Sequence, residues 1–340
     1  MQPDAIPNFS NLGPQDVHPG VAPERAFTIF AHLLADRLDE FLIQNLYASA
    51  ARQCFDHGRL FVFHRNGREH HPSIVKMNTD ILYNWRGGGN SSIPMDFFDN
   101  TLNATQRAGD DTWYSQGCAK PDLMLVPSMM NWRHLGAFKR PPRLSVPRSL
   151  APRISRAFRA VHVDPNWWFC AIAVPESDTG TDLDSFNASL NALTELVVGQ
   201  FGAGLVLVGD PDTALGPLPS NVTDARQLPE GVIGQGYVIS KARFLMELTP
   251  SPWLWLAFGL DIPWLRRVET ATPSKLPGRG FIYPSGTSDT NASVAAARAM
   301  IRETQDCPMW RMGRADAPVP APNAINLPMR DGPDAQFIIL

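Results

Sequence analysis

This sequence has little of several features that would place it in a specialised class of protein. Its 30 lysine and arginine residues are outnumbered by 33 acidic residues, which gives a net charge of −3. A nucleic-acid-binding protein needs a basic excess to neutralise phosphates, so we expect no nucleic-acid partner. The longest apolar run, Pro252 to Leu260, falls well short of the roughly 20 residues that cross a bilayer. We therefore expect no membrane span.

Cysteine is also scarce. The four cysteines are widely spaced and form no Cys-X-X-Cys pair: Cys54, Cys118, Cys170 and Cys307. This spacing indicates neither a disulfide framework nor a zinc site, and we expect no metal cofactor. The first 20 residues lack both the basic region and the apolar core of a signal peptide, so we expect a cytoplasmic protein.

What the sequence does have is enough apolar material for more than one core. The chain has 340 residues, of which 44% are hydrophobic and 19% charged, as in a globular protein of two domains. Residues 139–153 hold four prolines and show no helical or strand period. We predict an N-terminal domain over 1–140, a linker over 141–153, and a C-terminal domain over 154–340 that ends in a proline-rich tail.

The C-terminal half begins with the pattern of a strand-helix-strand unit. Phe169 to Val174 and Leu205 to Val208 are short apolar runs that predict buried strands, and Asp184 to Val198 carries leucines and alanines at helical spacing. Both strands end in polar turns, at Pro175-Glu176-Ser177 and at Gly209-Asp210. The order predicts two parallel strands joined by a right-handed helical crossover.

A second compact pattern follows between residues 242 and 269. Arg243 to Leu248 predicts a buried strand that ends in a turn beginning at Thr249. Ser251 suits the N-cap of a helix and Pro252 its first position, where the missing N–H does no harm. The helix would begin at Pro252 and continue through the apolar Trp253 to Leu260, and a strand would follow from Trp264 to Val268.

These residues resemble a known family. Ser251-Pro252, then Trp255-Leu256-Ala257-Phe258, then Leu260-Asp261-Ile262-Pro263 are similar to the last strands of the donor domain in heptosyltransferases and related GT-B glycosyltransferases. The Trp-Leu-Ala-aromatic run most resembles the autotransporter heptosyltransferase branch, and the likeness covers about residues 165–270. It implies an α/β fold of GT-B type, with two Rossmann-like domains facing a cleft. It also implies an enzyme that moves a sugar from a nucleotide-diphosphate donor to a glycan or protein acceptor.

The resemblance implies that the N-terminal domain is the acceptor-side domain and the C-terminal domain binds the nucleotide-sugar. In the C-terminal domain, the strand ends define a candidate donor site. Ligands of open α/β sheets bind at the carboxyl ends of the strands, and a helix start with free N–H groups attracts a diphosphate. The candidate donor-binding residues are Pro175, Glu176, Ser177, Gly209, Asp210, Thr249, Ser251, Pro252 and Trp255. Trp255 either lines this pocket or belongs to the core, since large aromatics dominate core burial. No Asp-X-Asp pattern suggests a metal-dependent site, because Asp210-Pro211-Asp212 is typical of a turn.

The candidate catalytic base is Asp110 or Asp111. A glycosyltransferase that inverts configuration needs a group that takes the proton of the acceptor hydroxyl, and two adjacent acids in a loop beside glycine are suited to this. The same pair is equally typical of an ordinary turn. Similarly, Gly87 to Gly89 predicts either a flexible loop or a loop that wraps a phosphate with its backbone N–H groups.

The rest of the N-terminal half gives a coarser prediction. Apolar residues recur at three- and four-residue steps from Pro23 to His57, which predicts one long helix. Strands are predicted at Arg59 to His64, Ile74 to Met77 and Asp122 to Val126. Polar loops are predicted around Trp85 to Asn90 and around Arg107 to Asp111. His70-His71 is predicted to lie in a solvated turn, and His64, which flanks a strand, is predicted to be a surface or a cap residue.

Two other functions remain open at this point. A polysaccharide pyruvyltransferase has a GT-B-like fold, but the arginine-histidine pair expected of it is replaced by Pro252 and Trp253. A non-catalytic scaffold or partner of an active glycosyltransferase is favoured by a departure from the family, since Pro252 stands where the family has its turn glycine.

Overall fold

The computed structural model describes twelve stretches of the chain: 27–55, 58–65, 70–87, 123–125, 127–135, 142–161, 168–176, 183–219, 221–268, 280–284, 290–304 and 338–339. The chain divides into two compact units, Met1–Ser145 and Val146–Leu340. Residues 141–153, the predicted linker, include this division, and a helix begins at Ala151, near their end. The functional roles predicted for the two domains remain predictions.

The first unit is built on a parallel sheet. Its elements are, in chain order, β1 (Thr28–Leu33), α1 (Leu38–Gln53), β2 (Arg59–Arg65), α2 (His70–Met77), β3 (Ile81–Gly87), β4 (Leu123–Leu125), a 3₁₀ turn (Pro127–Met129) and α3 (Trp132–Leu135). The strands lie in the order β3-β2-β1-β4, and each pairs with its neighbour in parallel. Strand, helix, strand repetition with parallel pairing is the Rossmann-like pattern.

The second unit has a larger sheet. Its elements are α4 (Ala151–Ala160), β5 (Phe169–Val174), α5 (Leu183–Thr194) with a π-helical continuation (Glu195–Gln200), β6 (Gly204–Gly209), β7 (Val222–Asp224), α6 (Val232–Lys241), β8 (Leu245–Glu247), α7 (Trp253–Gly259), β9 (Trp264–Val268), β10 (Gly280–Pro284), α8 (Thr290–Glu303) and β11 (Ile338–Ile339). The seven strands lie in the order β11-β10-β9-β8-β5-β6-β7. All pairings are parallel except that of β11, which pairs with β10 in the antiparallel direction.

The central strands of this sheet are buried on both faces. Every residue of β5 is buried, and so are the residues of β6 from Leu205 to Gly209. Continuous apolar runs of this kind are typical of parallel strands covered by helices on each side. Leu190 and Leu193 of α5 pack against the sheet together with Ala297 and Met300 of α8. The predicted strand, helix and strand over residues 169–209 are therefore confirmed.

The N-terminal helix prediction was wrong in its first half. Residues 28–33 form β1, paired with β2 on one side and β4 on the other, and the helix begins only at Leu38. The apolar run TIFAHL fits a strand buried on both faces as well as it fits a helical stripe, and hydrogen bonding to two neighbouring strands decides between them.

Three further N-terminal predictions need correction. Ile74 to Met77 is the end of helix α2, not a strand, and His70-His71 begins that helix instead of forming a solvated turn. His71 is buried, and its ring stacks on Phe41 with the centroids 3.9 Å apart. His64, predicted to be a surface or a cap residue, is also buried. Aromatic packing against α1 thus takes both imidazoles out of water.

The loop predicted from Trp85 to Asn90 was also wrong in part, because residues 85–87 belong to β3. Residues 88–90 and 107–111 lie outside the described stretches, so the Gly87–Gly89 and Arg107–Asp111 loop predictions stay untested beyond that strand. The strands predicted near residues 59–64 and 122–126 are confirmed as β2 and β4. Among the described residues, no helix has the length and apolarity that crossing a bilayer requires.

Candidate functional site

The sheet of the second unit has a topological switch point between β5 and β8. From β5 the chain moves to β6 and then to β7 on one side, and it returns to place β8 on the opposite side of β5. Loops that leave β5 and β8 therefore diverge at the carboxyl edge and open a crevice, which is where open α/β sheets bind ligands.

The sheet brings several predicted site residues to this one edge. Pro175 and Glu176 follow β5, Gly209 and Asp210 end β6, and Thr249 follows β8. Because β8, β5 and β6 are consecutive strands in the sheet, these three turns are neighbours. Ser177 lies outside the described residues, as do Asp110 and Asp111 of the first unit.

The turn after β6 is held by the protein itself. The N–H of Asp212 donates to Oδ1 of Asp210 at 2.9 Å, as expected of a turn aspartate. The buried hydroxyl of Thr213 donates to the carbonyl of Pro175 at 2.7 Å. These contacts tie the β6 turn to the end of β5 and fix the wall of the crevice on that side.

Arg226, which the sequence analysis did not single out, braces this turn from beneath. Its Nε and Nη2 donate to the two carboxylate oxygens of Asp224, and its Nη1 donates to the carbonyls of Asp210 and Thr213. Burial raises the pKa of Asp224, but the hydrogen bonds and charge of Arg226 outweigh that effect and lower the pKa of this carboxyl. All three guanidinium nitrogens of Arg226 therefore bind groups of the protein itself.

The backbone of Gly209 is also hydrogen-bonded within the protein. Its N–H donates to Oε1 of Gln235 at 2.6 Å, and its carbonyl accepts from Nε2 of the same side chain at 3.0 Å. Nε2 of Gln235 also donates to the carbonyl of Arg226 at 3.1 Å. The backbone of Gly209 therefore shapes the site and is not presented to a ligand.

The other wall is formed by the turn between β8 and α7. The helix begins at Trp253, one residue later than predicted, and Pro252 before it already has helical dihedrals, φ −68° and ψ −20°. The Ser251 hydroxyl accepts a hydrogen bond from the N–H of Trp253 at 3.3 Å. Ser251 therefore caps the helix start, as its sequence position predicted.

A buried carboxylate lies under this turn. Glu247, the last residue of β8, is 1% exposed, and its Oε1 accepts a hydrogen bond from the N–H of Ser251 at 2.5 Å. Its Oε2 lies 2.9 Å from Nε of Arg266, the residue opposite it on β9. Burial raises the pKa of Glu247 to about 7, while the charge of Arg266 and the hydrogen bonds from Ser251 act in the opposite direction.

The sequence carries one signal for this carboxylate. An acidic residue inside the apolar run RFLMEL is costly to bury, so its presence there indicates a specific partner or role. The partner, Arg266, lies 19 positions away and is found only through the register of β8 with β9.

Three polar atoms around the end of β8 lack a hydrogen bond within the part of the chain that the structure describes. They are Oε2 of Glu247, whose 2.9 Å contact with Arg266 is an ion pair without hydrogen-bond alignment, Oγ1 of Thr249 and Nε1 of Trp253. Oε2 of Glu247 is charge-paired with Arg266, whereas Oγ1 of Thr249 and Nε1 of Trp253 are unmatched among the described residues, at a cost of about 1–3 kcal/mol each. Other buried polar atoms, such as Nε1 of Trp264, also lack a partner there, so the two atoms mark polar groups available at this turn.

Trp255 belongs to the core. It is buried, and its ring meets that of Phe258 edge to face with the centroids 6.4 Å apart. Of the two interpretations left open by the sequence, packing is the one for which the structure gives contacts.

Among the described residues, no group of three or more His, Cys, Asp or Glu side chains is arranged to hold a metal ion. The Cys54 thiol donates to the carbonyl of Ala50 at 3.4 Å, and Cys170 is a buried free cysteine. Burial raises the pKa of the Cys170 thiol well above its usual range, so this residue stays protonated and behaves as a core side chain.

Comparison with known proteins gives a likeness in structure alone. No protein-family model matches the sequence, and no curated protein matches it. The fold is similar to that of the glycosyl transferase family 9 protein from Veillonella parvula DSM 2008, with a TM-score of 0.56, 9% identity, and coverage of 82% of this chain and 97% of that one. It is also similar to E. coli ADP-heptose lps heptosyltransferase II, with a TM-score of 0.52, 10% identity, and coverage of 83% and 100%.

At these identities the likeness establishes the fold and nothing finer. The fold class is α/β with two Rossmann-like units of the GT-B type, as the resemblance in sequence predicted. The similarity to heptosyltransferases is confirmed at that level.

Proposed function

We propose that this protein is a glycosyltransferase that moves a sugar from a nucleotide-diphosphate donor to a hydroxyl group of a glycan or protein acceptor, without a metal ion. The observation that carries the proposal is the switch point between β5 and β8, where two buried polar atoms, Oγ1 of Thr249 and Nε1 of Trp253, have no partner among the described residues. The GT-B type of fold supports it, since folds of this type are found in enzymes that use nucleotide-sugars.

In the proposed arrangement, the donor lies along the carboxyl edge of the second unit. The turns at Pro175, Glu176 and Ser177, at Gly209 and Asp210, and at Thr249 would surround it. Ser251 and Pro252, at the start of α7, would face the diphosphate, with the Ser251 hydroxyl held in place by its contacts with Glu247 and with the N–H of Trp253.

The chemistry is a substitution at the anomeric carbon. The bond between that carbon and the phosphate oxygen breaks, a bond to the acceptor oxygen forms, and the nucleoside diphosphate leaves with the electron pair. A base takes the proton of the acceptor hydroxyl, and we propose Asp110 or Asp111 of the first unit for this role. Protein donors at the diphosphate would stabilise the charge that develops on the leaving group.

A second candidate, a non-catalytic scaffold with this fold, is favoured by one observation. Backbone N–H groups that a diphosphate would use are already donated within the protein: that of Ser251 to Glu247, that of Trp253 to Ser251, and that of Gly209 to Gln235. A scaffold needs no donor site and would tolerate this internal pairing.

Thermal denaturation with a panel of nucleotides separates the two candidates. A ligand that binds only the native state at 100 times its Kd stabilises the protein by about 2.7 kcal/mol. We expect a nucleoside diphosphate or its sugar conjugate to raise the Tm, and the free nucleoside to raise it less. An unchanged Tm with ADP, UDP, GDP, CDP and their sugar conjugates would exclude the donor site and leave the scaffold as the remaining candidate.

A pair of serine variants tests where the ligand binds. Ser251→Ala removes the hydroxyl at the proposed diphosphate site, whereas Ser240→Ala removes one that donates to the Tyr237 carbonyl on α6. Only the first should reduce the ligand-induced rise in Tm. Equal responses in the two variants would move the site away from Ser251.

A further inference from the structure

Arg266 is the arginine of β9 that faces the carboxyl edge of β8. It lies opposite Glu247 in the parallel ladder, and its side chain is 22% exposed whereas that of Glu247 is 1% exposed. Nε of the guanidinium lies 2.9 Å from the carboxylate oxygen Oε2. Within the described residues, Nη1 and Nη2 make no hydrogen bond, so both can donate to a ligand.

The other buried arginines of this unit are not available in this way. Arg226 uses Nε, Nη1 and Nη2 on Asp224, Asp210 and Thr213. Arg243, at the opposite end of β8, donates to Thr304 and to the carbonyl of Ile301 at the end of α8. Both serve the fold, whereas Arg266 reaches solvent with its donors unused.

We propose that Arg266 binds the diphosphate of the donor and that Glu247 positions it. This assignment rests on the proposed function and supplies the cation that a metal-independent donor site requires. A guanidinium presents parallel N–H groups that match two oxygens of a phosphate, and such charge-assisted bidentate contacts are the strong ones.

Glu247 connects this cation to the start of α7. Its Oε2 holds Arg266, and its Oε1 holds the N–H of Ser251. One buried carboxylate therefore fixes both the guanidinium and the turn that carries the Ser251 hydroxyl. Holding these donors in place before binding lowers the conformational entropy that their side chains lose when a ligand binds.

The cost of burying Glu247 supports a role of this kind. A buried ion pair seldom stabilises a fold more than an apolar pair in the same place would. A contribution to stability therefore does not by itself explain why Glu247 is buried here. A carboxylate that orients a partly exposed guanidinium gives the pair a use that two apolar side chains would not have.

The test is isothermal titration of the full-length protein with ADP, UDP, GDP, CDP and inorganic pyrophosphate. The variant is Arg266→Gln, and the matched control is Arg267→Gln, whose side chain points to the opposite face of the same strand. We expect Arg266→Gln to weaken binding of the diphosphates by roughly 10- to 100-fold, the worth of a charge-assisted hydrogen bond. Arg267→Gln should bind as the unmodified protein does.

Two more variants separate binding from structure. Arg266→Lys keeps the positive charge but lacks the parallel N–H groups of the guanidinium, so it should retain part of the affinity that Arg266→Gln loses. Glu247→Gln keeps the shape of the positioning side chain and should weaken diphosphate binding by a smaller factor, with the free nucleoside unaffected. Circular dichroism of each variant establishes that the fold is retained.

The outcomes distinguish this inference from the proposed function. If the unmodified protein binds diphosphates and Arg266→Gln binds them equally well, the assignment of Arg266 is overturned while the donor site stands. If both arginine variants lose the same affinity, a general charge effect replaces the specific contact. If the unmodified protein binds no diphosphate, the proposed function and this inference fall together.

Discussion

A Cβ atom on Gly209 would lie 2.8 Å from the carbonyl oxygen of Val174 on the neighbouring strand. Gly209 also has φ of +138°, a region that side chains with a Cβ rarely enter. The end of β6 and the end of β5 can approach this closely because position 209 carries no side chain, and this approach shapes the crevice at the switch point.

The first prediction is that Gly209→Ala destabilises the protein by about 2–4 kcal/mol, because the methyl group adds backbone strain and a clash with β5. Chemical denaturation followed by circular dichroism measures the change. Gly199→Ala is the matched control, since nothing lies within 4 Å of a Cβ there. In its helical setting, alanine should be neutral or stabilising. Equal stability of the two variants would contradict the argument.

A second prediction concerns Glu247 and pH. Burial raises the pKa of Glu247 from 4.5 to about 7, so between these values the native state binds more protons than the unfolded state. This residue's contribution to stability is therefore full below about pH 4.5 and is lost as the pH rises to 7, by an amount on the order of 3 kcal/mol. In Glu247→Gln this decline should vanish. Unfolding free energies of both proteins at pH 4.5, 6 and 8 provide the check, and parallel pH profiles would refute it.

The third prediction has the opposite sign and lies in the first unit. His32 of β1 is fully buried, and its ring stacks on Phe63 with the centroids 4.8 Å apart. Burial lowers the pKa of His32 from 6.5 to about 4, so between these values the unfolded state binds more protons. Stability from this residue is thus present above pH 6.5 and lost as the pH falls to 4.

His32→Phe should remove that loss, since neither ring nitrogen has a hydrogen-bond partner in the described residues and an aromatic ring can keep the stacking. We expect the variant to gain stability relative to the unmodified protein as the pH falls from 6.5 to 4. Thermal melts across this range measure it. A difference in Tm that stays constant with pH would show that His32 does not titrate in this way.

The fourth prediction concerns metal. A helix start and protein donors are proposed to neutralise the leaving diphosphate, so any transferase activity should survive EDTA. The measurement is sugar transfer before and after chelation, with Mn²⁺ or Mg²⁺ added back as the control. Activity that chelation destroys and one of these ions restores would place a carboxylate-held ion at the site, and the assignments of Ser251, Pro252 and Arg266 would then be abandoned.

Part of the C-terminal site was predictable from the sequence. The strands β5, β6, β8 and β9 and helix α7 were all predicted, because each is a short apolar run bounded by proline, glycine or aspartate. Signals of this kind are local: a buried parallel strand is apolar along its whole length, and turn chemistry marks where it ends. The capping role of Ser251 follows from the same local chemistry.

The N-terminal unit shows where local patterns fail. TIFAHL is apolar at every position but two, Thr28 and His32, so it satisfies a helical stripe and a doubly buried strand alike. Pairing with β2 and β4, which lie about 30 and 95 residues further along the chain, makes it a strand. For His64 and His71 the polar side chain suggested solvent, and only packing against Phe41 shows that they are buried.

The sequence by itself therefore determined the apolar strands of the second unit, their polar ends and the α/β class of fold, because these depend on the character of neighbouring residues. Only the tertiary structure decided which strand ends meet, that Gln235 holds the backbone of Gly209, and that Glu247 faces Arg266. The physical reason is that sheet order and register are set by hydrogen bonds and burial between segments far apart in the chain. No window of local sequence contains those contacts.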